Sequence, residues 1–110
     1  MVTPTIRSIV LVRFPFSDLS QSKLRPAVVL ASVGRGDWIL GQVTSKPYAD
    51  LNAIELNDTS FDQGSLQIVS YARPGKLFTA NQDLMTRKVG MIKKSVHQEI
   101  VDAIVRILVN

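Results

Sequence analysis

The sequence predicts a mainly β fold that ends in one α-helix, and three observations support this α+β class. Short runs rich in β-branched residues fill most of the chain, glycine and proline separate these runs, and helical spacing of apolar residues begins only after residue 94. A small, strongly curved antiparallel sheet or partly open barrel, with the helix packed on it, suits this order of elements. The 110 residues fit a single domain, 1–110, that can bury a core without disulfides.

The first β-rich run, Ile6 to Phe14, stops before Pro15 and predicts a strand. Both of its faces are apolar in the middle, so we expect the chain's own core to cover one face and a helix or a second subunit to cover the other. The polar segment Pro15–Leu24 then predicts a loop that is longer than most connections in compact domains, where long loops are often functional.

The next two runs, 26–33 and 38–45, flank the sequence Gly34-Arg35-Gly36-Asp37 and predict a β-hairpin. With the turn centred near Arg35, opposed residues have numbers that sum to about 69–71. Arg25 is therefore expected opposite one of three residues, Thr44, Ser45 or Lys46. Because opposed residues point to the same face, a guanidinium and a hydroxyl should converge at this end of the hairpin.

The second half of the chain contains weaker strand signals. Residues 46–64 are interpreted as an irregular excursion with one strand, Ala53–Leu56. Ser65–Tyr71 and Lys76–Ala80 are predicted as short strands, and Arg73-Pro74-Gly75 between them is typical of a turn. Arg87–Ile92 is predicted as the last strand.

The C-terminal segment, Ser95–Val109, predicts an amphipathic helix. Ser95 and Gln98 have the spacing of a capping box at its start. The apolar stripe, which should lie against the sheet, consists of Val96, Ile100, Val101, Ile104, Ile107 and Leu108.

Composition excludes several functional classes. The absence of cysteine and the presence of one histidine exclude a cysteine-based zinc site, a thiol nucleophile and a redox pair, so a metal could be held only by oxygen ligands, and no cofactor is expected. The formal net charge of +4 and the pI of about 9.8 favour an anionic partner. The N-terminus does not resemble a secretory signal, and no apolar run is long enough to span a membrane, so a cytoplasmic protein without membrane association is expected.

The expected convergence at the hairpin end defines a candidate phosphate-binding cleft. Its members are Lys23, Arg25, Thr44, Ser45 and Lys46, together with the loop that contains Asp18. A purely structural interpretation is also open, in which Arg25 caps a loop carbonyl or pairs with Asp18 while Thr44 is an ordinary strand residue.

At these residues the chain resembles the MazF and PemK toxins of bacterial type II toxin-antitoxin systems. The resemblance lies in IVLVRFPFSDLSQSKLRPAVVLAS, in GQVTSK and in GSLQIVSYARPGKLFTANQDLMTRKVGMI before the terminal helix. It implies a barrel of the Src-homology-3 type, a homodimer, a cognate antitoxin, and metal-independent cleavage of single-stranded mRNA at short sequences. It also places the family's catalytic arginine at Arg25 and its catalytic threonine at Thr44.

The chain departs from the family pattern at two places. Arg7-Ser8 stands where members commonly have Gly-Asp before the first strand, and Arg13 stands where many have proline. Because the same superfold includes a gyrase poison without nuclease activity, a non-nuclease toxin and a degenerate RNA- or antitoxin-binding barrel remain alternatives.

RNA cleavage through the 2′-hydroxyl requires a charge stabiliser, a base and an acid. Arg25 suits the first role, and Thr44 can donate a hydrogen bond to the same phosphate oxygens, with Ser45 in support. Asp18 is a candidate base, although a loop residue with local hydrogen bonds is the simpler interpretation. The proton-transfer groups stay open, and His97, in the first turn of the predicted helix, is expected to be structural.

Further residues are candidates for holding RNA along several nucleotides. Six basic residues and one acid, Asp83, lie between Tyr71 and Lys94, which predicts a phosphate track or a docking patch for an acidic antitoxin. The RNA-binding prediction comprises Phe16, Lys23, Lys46, Arg73, Lys76, Arg87 and Lys88, with Lys93 and Lys94 in the same basic stretch. Phe16, Tyr48 and Phe78 are candidate stacking platforms, but Phe78 is expected to be buried, and Trp38 is expected in the core or a dimer interface.

Overall fold

A computed structural model describes residues 3–14 and 23–110 of the chain. Within these residues, seven antiparallel strands form one curled sheet in the order β4-β6-β3-β2-β1-β7-β5. The strands are β1 (Ser8–Phe14), β2 (Lys23–Gly34), β3 (Asp37–Thr44), β4 (Ile54–Leu56), β5 (Phe61–Gly64), β6 (Ser70–Asn81) and β7 (Met85–Ile92), and the helix is α1 (Lys94–Val109). Two short 3-10 helices, Asp58–Ser60 and Gln82–Leu84, precede β5 and β7. The predicted curved β fold with a terminal helix is confirmed.

The inner face of the sheet encloses the larger hydrophobic core. Each of the seven strands contributes to it, from Leu56 on the β4 edge to Phe61 on the β5 edge, and Ile100 of α1 completes it. Its buried members are Ile9, Val28, Leu30, Val43, Leu56, Phe61, Ala72, Ile92 and Ile100. Burial of side chains from both edges against one cluster explains why the sheet curls into a half-barrel.

A second core lies on the other face of the sheet. It contains Val10, Val12, Ala27, Val29, Leu40, Ala80 and Met85, with Trp38, Phe78 and Leu84 partly buried against it. Ile9 and Val10 are both 0% exposed, so the two faces of β1 are covered, as expected. Residues of the same chain cover the second face, so the pattern of β1 gives no argument for a second subunit.

The hairpin has the predicted register over its paired part, but the expected position of Arg25 opposite Thr44, Ser45 or Lys46 is wrong, because β2 and β3 stop pairing at Ala27 and Gln42 and Arg25 pairs with Val12 of β1. Ala27 pairs with Gln42, Ser32 with Trp38 and Gly34 with Asp37, so the paired numbers sum to 69, 70 and 71. The preceding loop prediction is wrong at its last two residues, because Lys23 and Leu24 belong to β2 and pair with Phe14 and Arg13 of β1. Residues 15–22 of that loop lie outside the described part of the chain.

The predicted turn at Arg73-Pro74-Gly75 is wrong. These residues lie inside the continuous strand β6, and the segment Ser65–Val69 is not a strand. Gly41 of β3 pairs with Leu77, whereas the adjacent Gln42 pairs with Arg73, so residues 74–76 form a bulge. Pro74 has no N–H to donate, but it lies in the bulge, where the pairing of the strands requires no hydrogen bond from it.

Strands β4 and β7 confirm two of the shorter predictions, whereas β5 was hidden in the excursion interpreted as irregular. Asn57 begins the 3-10 helix before β5: its Oδ1 accepts from Thr59 N at 2.9 Å, and its N–H donates to Ser60 Oγ at 3.1 Å. Strand β5 then pairs with β7 in antiparallel orientation. A Cβ atom on Gly64, whose φ is +69°, would lie 2.2 Å from Val89 O, so only glycine fits there.

The helix starts without the predicted capping box. Lys93 is the N-cap and makes no side-chain capping bond, while Val96 N and His97 N donate to Lys93 O. Gln98 instead donates to Asp102 Oδ1 at 2.8 Å. The predicted apolar stripe covers the sheet only over its first part: Ile100 and Ala103 are buried, whereas Leu108 is 73% exposed. Within the described residues, no helix is long and apolar enough to cross a membrane.

Candidate functional site

A cleft opens where β2 and β3 stop pairing with each other. The pairing between them ends at Ala27 and Gln42. Beyond that point β2 continues to pair with β1, with Arg25 opposite Val12, and β3 continues to pair with β6, with Thr44 opposite Tyr71. The two strand ends therefore border a cavity of about 210 Å³. Its described lining is Arg25, Pro26, Gln42, Val43, Thr44, Ser45, Leu66, Ile68 and Ser70.

Arg25 gives this cleft its positive charge. Its side chain is exposed, and it forms no hydrogen bond or ion pair with the described residues. A guanidinium without a protein partner keeps all five of its N–H donors for a ligand. The structural interpretation in which Arg25 pairs with Asp18 involves a residue outside the described part of the chain.

The Thr44 hydroxyl is engaged in a local turn. Its Oγ1 donates to Lys46 O at 3.2 Å and accepts from Lys46 N at 3.1 Å. Ser45 also lines the cavity and is exposed, and its hydroxyl has no partner among the described residues. Ser45 therefore offers a free donor, whereas Thr44 must release Lys46 O before it can donate to a ligand.

Lys23 and Lys46, which were also predicted for the cleft, are exposed but are not among the residues that line its cavity. Lys23 starts β2, and Lys46 follows Thr44. Tyr48 is 72% exposed and has a φ of 53°, in the left-handed region. Phe16 and Asp18 lie outside the described residues. Phe78 packs against the second core, as expected.

Arg73 of β6 forms an ion pair with Asp50, which lies in the segment between β3 and β4. Its Nε donates to Asp50 Oδ2 at 2.9 Å, and the two side chains are 19% and 13% exposed. The hydrogen bond from Arg73 lowers the pKa of Asp50, the backbone N–H of Asn52 and the charge of Lys76 lower it further, and burial opposes them. Lys76 itself is exposed in the bulge of β6.

The remaining basic residues do not form one stripe. Arg87 pairs with Leu11 and Lys88 pairs with Val10, so the two neighbours point to opposite faces of β7. Lys88 Nζ donates to Thr5 Oγ1 at 3.3 Å, while Arg87 borders a groove with Leu11 and Gln67. Lys93 and Lys94 are exposed at the start of α1.

The comparisons with known proteins agree with this architecture. A family model described as "PemK-like, MazF-like toxin of type II toxin-antitoxin system" matches residues 6–108. The chain belongs to this toxin family. A search of curated proteins found no match.

Solved structures of toxins have the same fold. A MazE-MazF structure from Deinococcus radiodurans superposes with a TM-score of 0.79 at 17% identity, over 98% of this chain and 97% of that chain. The toxin MazF-mt6 from Mycobacterium tuberculosis gives 0.72 at 14% identity, over 93% and 96%. An endoribonuclease in complex with its cognate antitoxin, from a mycobacterial species, gives 0.73 at 11% identity, over 98% and 95%.

One departure from the toxin family's pattern has a clear structural basis. Arg7, which replaces the usual glycine, has a φ of 79°, in the region that glycine adopts without strain. Its guanidinium donates to Asp62 Oδ2 at 3.3 Å, to Ile92 O at 3.2 Å and to Met91 Sδ at 3.5 Å. Ser8, which replaces the usual aspartate, is buried, and its hydroxyl donates to Thr5 O. The chain thus adopts a left-handed backbone at Arg7 and stabilises this segment through the Arg7 and Ser8 side chains.

The chemistry of the cleft suits an anionic ligand. A cation without a protein partner, a free hydroxyl and the exposed lysines at the rim match the oxygens of a phosphodiester. Among the described lining residues there is no carboxylate or imidazole, so none of them is an ordinary general acid or base at neutral pH. Within the described chain, no three His, Asp or Glu side chains gather in a way that could hold a metal ion.

The sequence analysis missed the apolar wall of the cleft. Leu66 and Ile68 belong to the segment 65–69, which was predicted as a strand and is instead a loop beside the cavity. Ile68 is 63% exposed beside the cavity. The prediction of a strand concealed this exposure, because side chains two residues apart in a strand point to the same face, where Leu66 and Ile68 could have been buried together.

Proposed function

We propose that this chain is the toxin of a toxin-antitoxin system and a sequence-specific endoribonuclease that cleaves single-stranded mRNA without a metal ion. The observation that carries the proposal is the shared cavity of Arg25 and Thr44, in which Arg25 has no partner among the described residues. Membership of the PemK-like, MazF-like toxin family supports it, as do the names of fold neighbours described as endoribonucleases.

In the proposed reaction, the 2′-oxygen of one nucleotide attacks the adjacent phosphorus. A bond forms between the 2′-oxygen and phosphorus, the bond from phosphorus to the 5′-oxygen breaks, and the products carry a 2′,3′-cyclic phosphate and a 5′-hydroxyl. The proton of the 2′-hydroxyl is removed, and a proton is delivered to the departing 5′-oxygen. Asp18 is a candidate for the base, and the acid is unassigned.

Arg25 acts in this scheme as the charge stabiliser. Its planar fork matches two non-bridging phosphate oxygens and opposes the negative charge that accumulates in the pentavalent transition state. Thr44 donates to the same oxygens once its hydroxyl turns from Lys46 O, and Ser45 donates alongside it. The exposed side chains of Lys23 and Lys46 attract the flanking phosphates.

The partners in this proposal are a cognate antitoxin and a second copy of the chain. An acidic antitoxin suits the net charge of +4, and it would inhibit the enzyme by covering the Arg25 cleft. The homodimer is proposed from the family resemblance, and the sedimentation of the purified protein tests it. A cytoplasmic location follows from an mRNA substrate.

The decisive experiment is a cleavage assay on a defined transcript in the presence of EDTA. We expect the parent protein to cut, and Arg25→Ala to lower the rate by about 10²–10³-fold with an unchanged circular dichroism spectrum. Arg35→Ala is the matched control, because Arg35 is exposed at the far end of the same hairpin and its removal changes the net charge equally. Equal rates for Arg25→Ala and the parent would exclude Arg25 as the charge stabiliser.

Sequencing of the fragment ends tests the cleavage chemistry. The proposal requires 3′ products that resist ligation until the cyclic phosphate is opened, and 5′ ends that a kinase can phosphorylate. Binding of RNA without any product would contradict the enzyme and favour a degenerate RNA-binding barrel. Intact transcripts together with trapped gyrase–DNA complexes would favour a gyrase poison.

A further inference from the structure

The cleft that holds Arg25 continues into a second groove on the sheet. We propose that the RNA strand follows this groove from the scissile phosphate to Arg87, which binds a neighbouring phosphate, and that Gln67 reads a base on the way. The inference rests on the proposed function, because it assigns the path of the same substrate. Below, residues 65–69 with Pro26, Leu11 and Arg87 are called the exit groove.

The floor of the exit groove is a row of paired residues on three adjacent strands. Leu11 of β1 pairs with Pro26 of β2 on one side and with Arg87 of β7 on the other. Directly paired residues point to the same face of a sheet, so these three side chains form a continuous line. Pro26 lines the Arg25 cleft, while Leu11 and Arg87 line the adjoining groove of about 560 Å³.

The wall of the exit groove is the loop that follows β5. Leu66 lines both the cleft and the adjoining groove, and therefore joins them. The loop is held in one conformation: Gln67 N donates to Ser65 Oγ at 2.8 Å, and Ser65 Oγ donates to Asp58 Oδ1 at 3.3 Å. Gln67 has a φ of 68°, and its exposed side-chain amide has no partner among the described residues. An ordered backbone with a free amide suits base recognition.

The charges at the two ends of this path suit a phosphodiester chain. Arg25 pairs with Val12 and so starts on the other face of β2 from Pro26, but it borders the cleft where β2 and β3 separate. Arg87 lies at the far end, and the exposed Arg13 lies on β1, two residues beyond Leu11. Two strand spacings separate β2, which carries Arg25, from β7, which carries Arg87, a span of about 9–10 Å. Stacked nucleotides advance about 3.4 Å each, so the span holds at most about three of them.

The chemistry of the path favours a single strand over a duplex. Its floor and wall are apolar at Pro26, Leu11 and Leu66, which provides surface for unstacked bases. A glutamine amide can both donate to and accept from one base edge, and adenine is the base that such an amide pairs with best. Gln67 is therefore assigned a preference for adenine one or two nucleotides from the cut.

Binding of an uncleavable oligonucleotide tests the role of Arg87. The probe is a fluorescent single-stranded oligodeoxynucleotide of about twelve nucleotides, which has no 2′-hydroxyl and therefore cannot be cleaved by this route, and its anisotropy is followed at several salt concentrations. We expect Arg87→Ala to weaken binding about fivefold or more and to reduce the slope of log K against log salt by about 0.7, the value for one phosphate of a single strand. Arg106→Ala removes an equal charge from α1, at a position outside the groove, and should leave the affinity and the salt slope unchanged.

Selection from a randomised pool of the same oligonucleotides tests the role of Gln67. We expect Gln67→Ala to lower the preference for adenine at one position by about tenfold. Gln63→Ala is the matched control, because Gln63 is an exposed glutamine on the neighbouring strand β5 and does not line the groove. An unchanged base profile for Gln67→Ala overturns the assignment of Gln67.

Different results would contradict the proposed ribonuclease and the proposed exit groove. A parent protein that binds these oligonucleotides but never cuts RNA contradicts the proposed enzyme, while the Arg87 and Gln67 comparisons still decide the path. A parent that cuts RNA, with Arg87→Ala equal to Arg106→Ala in affinity and salt slope, overturns the exit groove and leaves the enzyme intact. Arg87→Lys should restore the salt slope, because the phosphate contact requires charge rather than a fork.

Discussion

The Thr44 hydroxyl both donates to and accepts from the backbone of Lys46, at 3.2 and 3.1 Å. This pair of bonds closes a tight turn directly after β3 and fixes the residue between them, Ser45, at the mouth of the cleft. Thr44 therefore has two separable roles in the proposed site: it shapes the rim, and its hydroxyl can donate to the substrate.

Substitution of Thr44 separates these roles. We expect Thr44→Val to lower the cleavage rate by about 10²-fold or more, because both the turn and a donor to the phosphate are lost. Thr44→Ser keeps the hydroxyl and should retain most of the rate. Loss of the turn should also cost about 1 kcal/mol in the free energy of unfolding, measured with urea.

The control for Thr44 is Thr79→Val, which removes a hydroxyl from an exposed position on β6. It should change neither rate nor stability by much. A fully active Thr44→Val protein would show that Ser45 alone supplies the donor, and the double variant of Thr44 and Ser45 would then be required to abolish cleavage.

The ion pair between Arg73 and Asp50 gives the second prediction. Arg73 was a candidate for RNA binding, yet its Nε is engaged by Asp50, whose carboxylate also accepts from Asn52 N at 2.9 Å. We expect Arg73→Ala and Asp50→Ala to destabilise the protein similarly, by about 1–2 kcal/mol, since each breaks the same pair. The urea-induced unfolding of both variants and their double variant measures this coupling.

The pH dependence of stability follows from the lowered pKa of Asp50. The unfolded chain binds a proton at Asp50 more readily than the folded chain, so the contribution of the pair is complete above the ordinary pKa of about 3.9 and is lost as the pH falls through the lower folded value. The stability gap between the parent and Asp50→Asn should narrow below about pH 4. Asp83→Asn, which removes an exposed carboxylate without an ion pair in the described chain, is the charge-matched control for this comparison. A gap that is constant with pH would contradict the pair.

Local sequence predicted the part of the fold that positions the site. The glycine turn around Arg35 sets the register of the hairpin by itself, and this register brings Arg25 and Thr44 to one cleft. Turn chemistry acts over a few residues, so no distant contact was needed to predict it.

The failed predictions involve distant partners. Pro74 and Gly75 favour a turn locally, but pairing with β3 on both sides of them keeps β6 continuous and turns them into a bulge. Ser95 and Gln98 have capping-box spacing, but Lys93 N donates to Ser60 O, and the helix starts at Lys94, one residue before the predicted start. The exit groove depends on Leu11, Leu66 and Arg87, which are far apart in sequence and meet only through the order of the strands.

Arg7 provides the third prediction. Its left-handed backbone lowers the free energy of unfolding, whereas its side-chain contacts raise it. Arg7→Ala keeps the left-handed φ of 79° and loses the contacts to Asp62, Ile92 and Met91, so we expect it to lower the free energy of unfolding by about 1–3 kcal/mol. Arg7→Gly also loses the contacts but removes the strain, and should be more stable than Arg7→Ala by about 1 kcal/mol. Equal urea midpoints for the two variants would show that the backbone at this position is not strained.

His97 gives the last prediction, on stability near neutral pH. Its ring is partly buried, and its Nε2 has no hydrogen-bond partner among the residues that the structure describes. Burial lowers the pKa of His97, the charge of Arg7 lowers it further, and a backbone hydrogen bond at Leu30 opposes both. The folded chain thus holds the neutral ring, while the unfolded chain takes up a proton near the ordinary pKa of about 6.5.

The sign of the pH effect follows from this difference. The contribution of the neutral His97 ring to the free energy of unfolding is complete above about pH 6.5. This contribution decreases as the pH falls from there to the lower folded pKa, because only the unfolded chain gains a proton in that range. We expect the urea midpoint of the parent to fall between about pH 7 and pH 5, and His97→Leu, which cannot titrate, to lack this slope. Because His97 is the only histidine, a slope that persists in His97→Leu cannot come from an imidazole and would contradict the assignment. Arg7→Ala should make this loss of stability smaller, since it removes a cation that lowers the pKa of His97 and so shortens the pH range in which only the unfolded chain gains a proton.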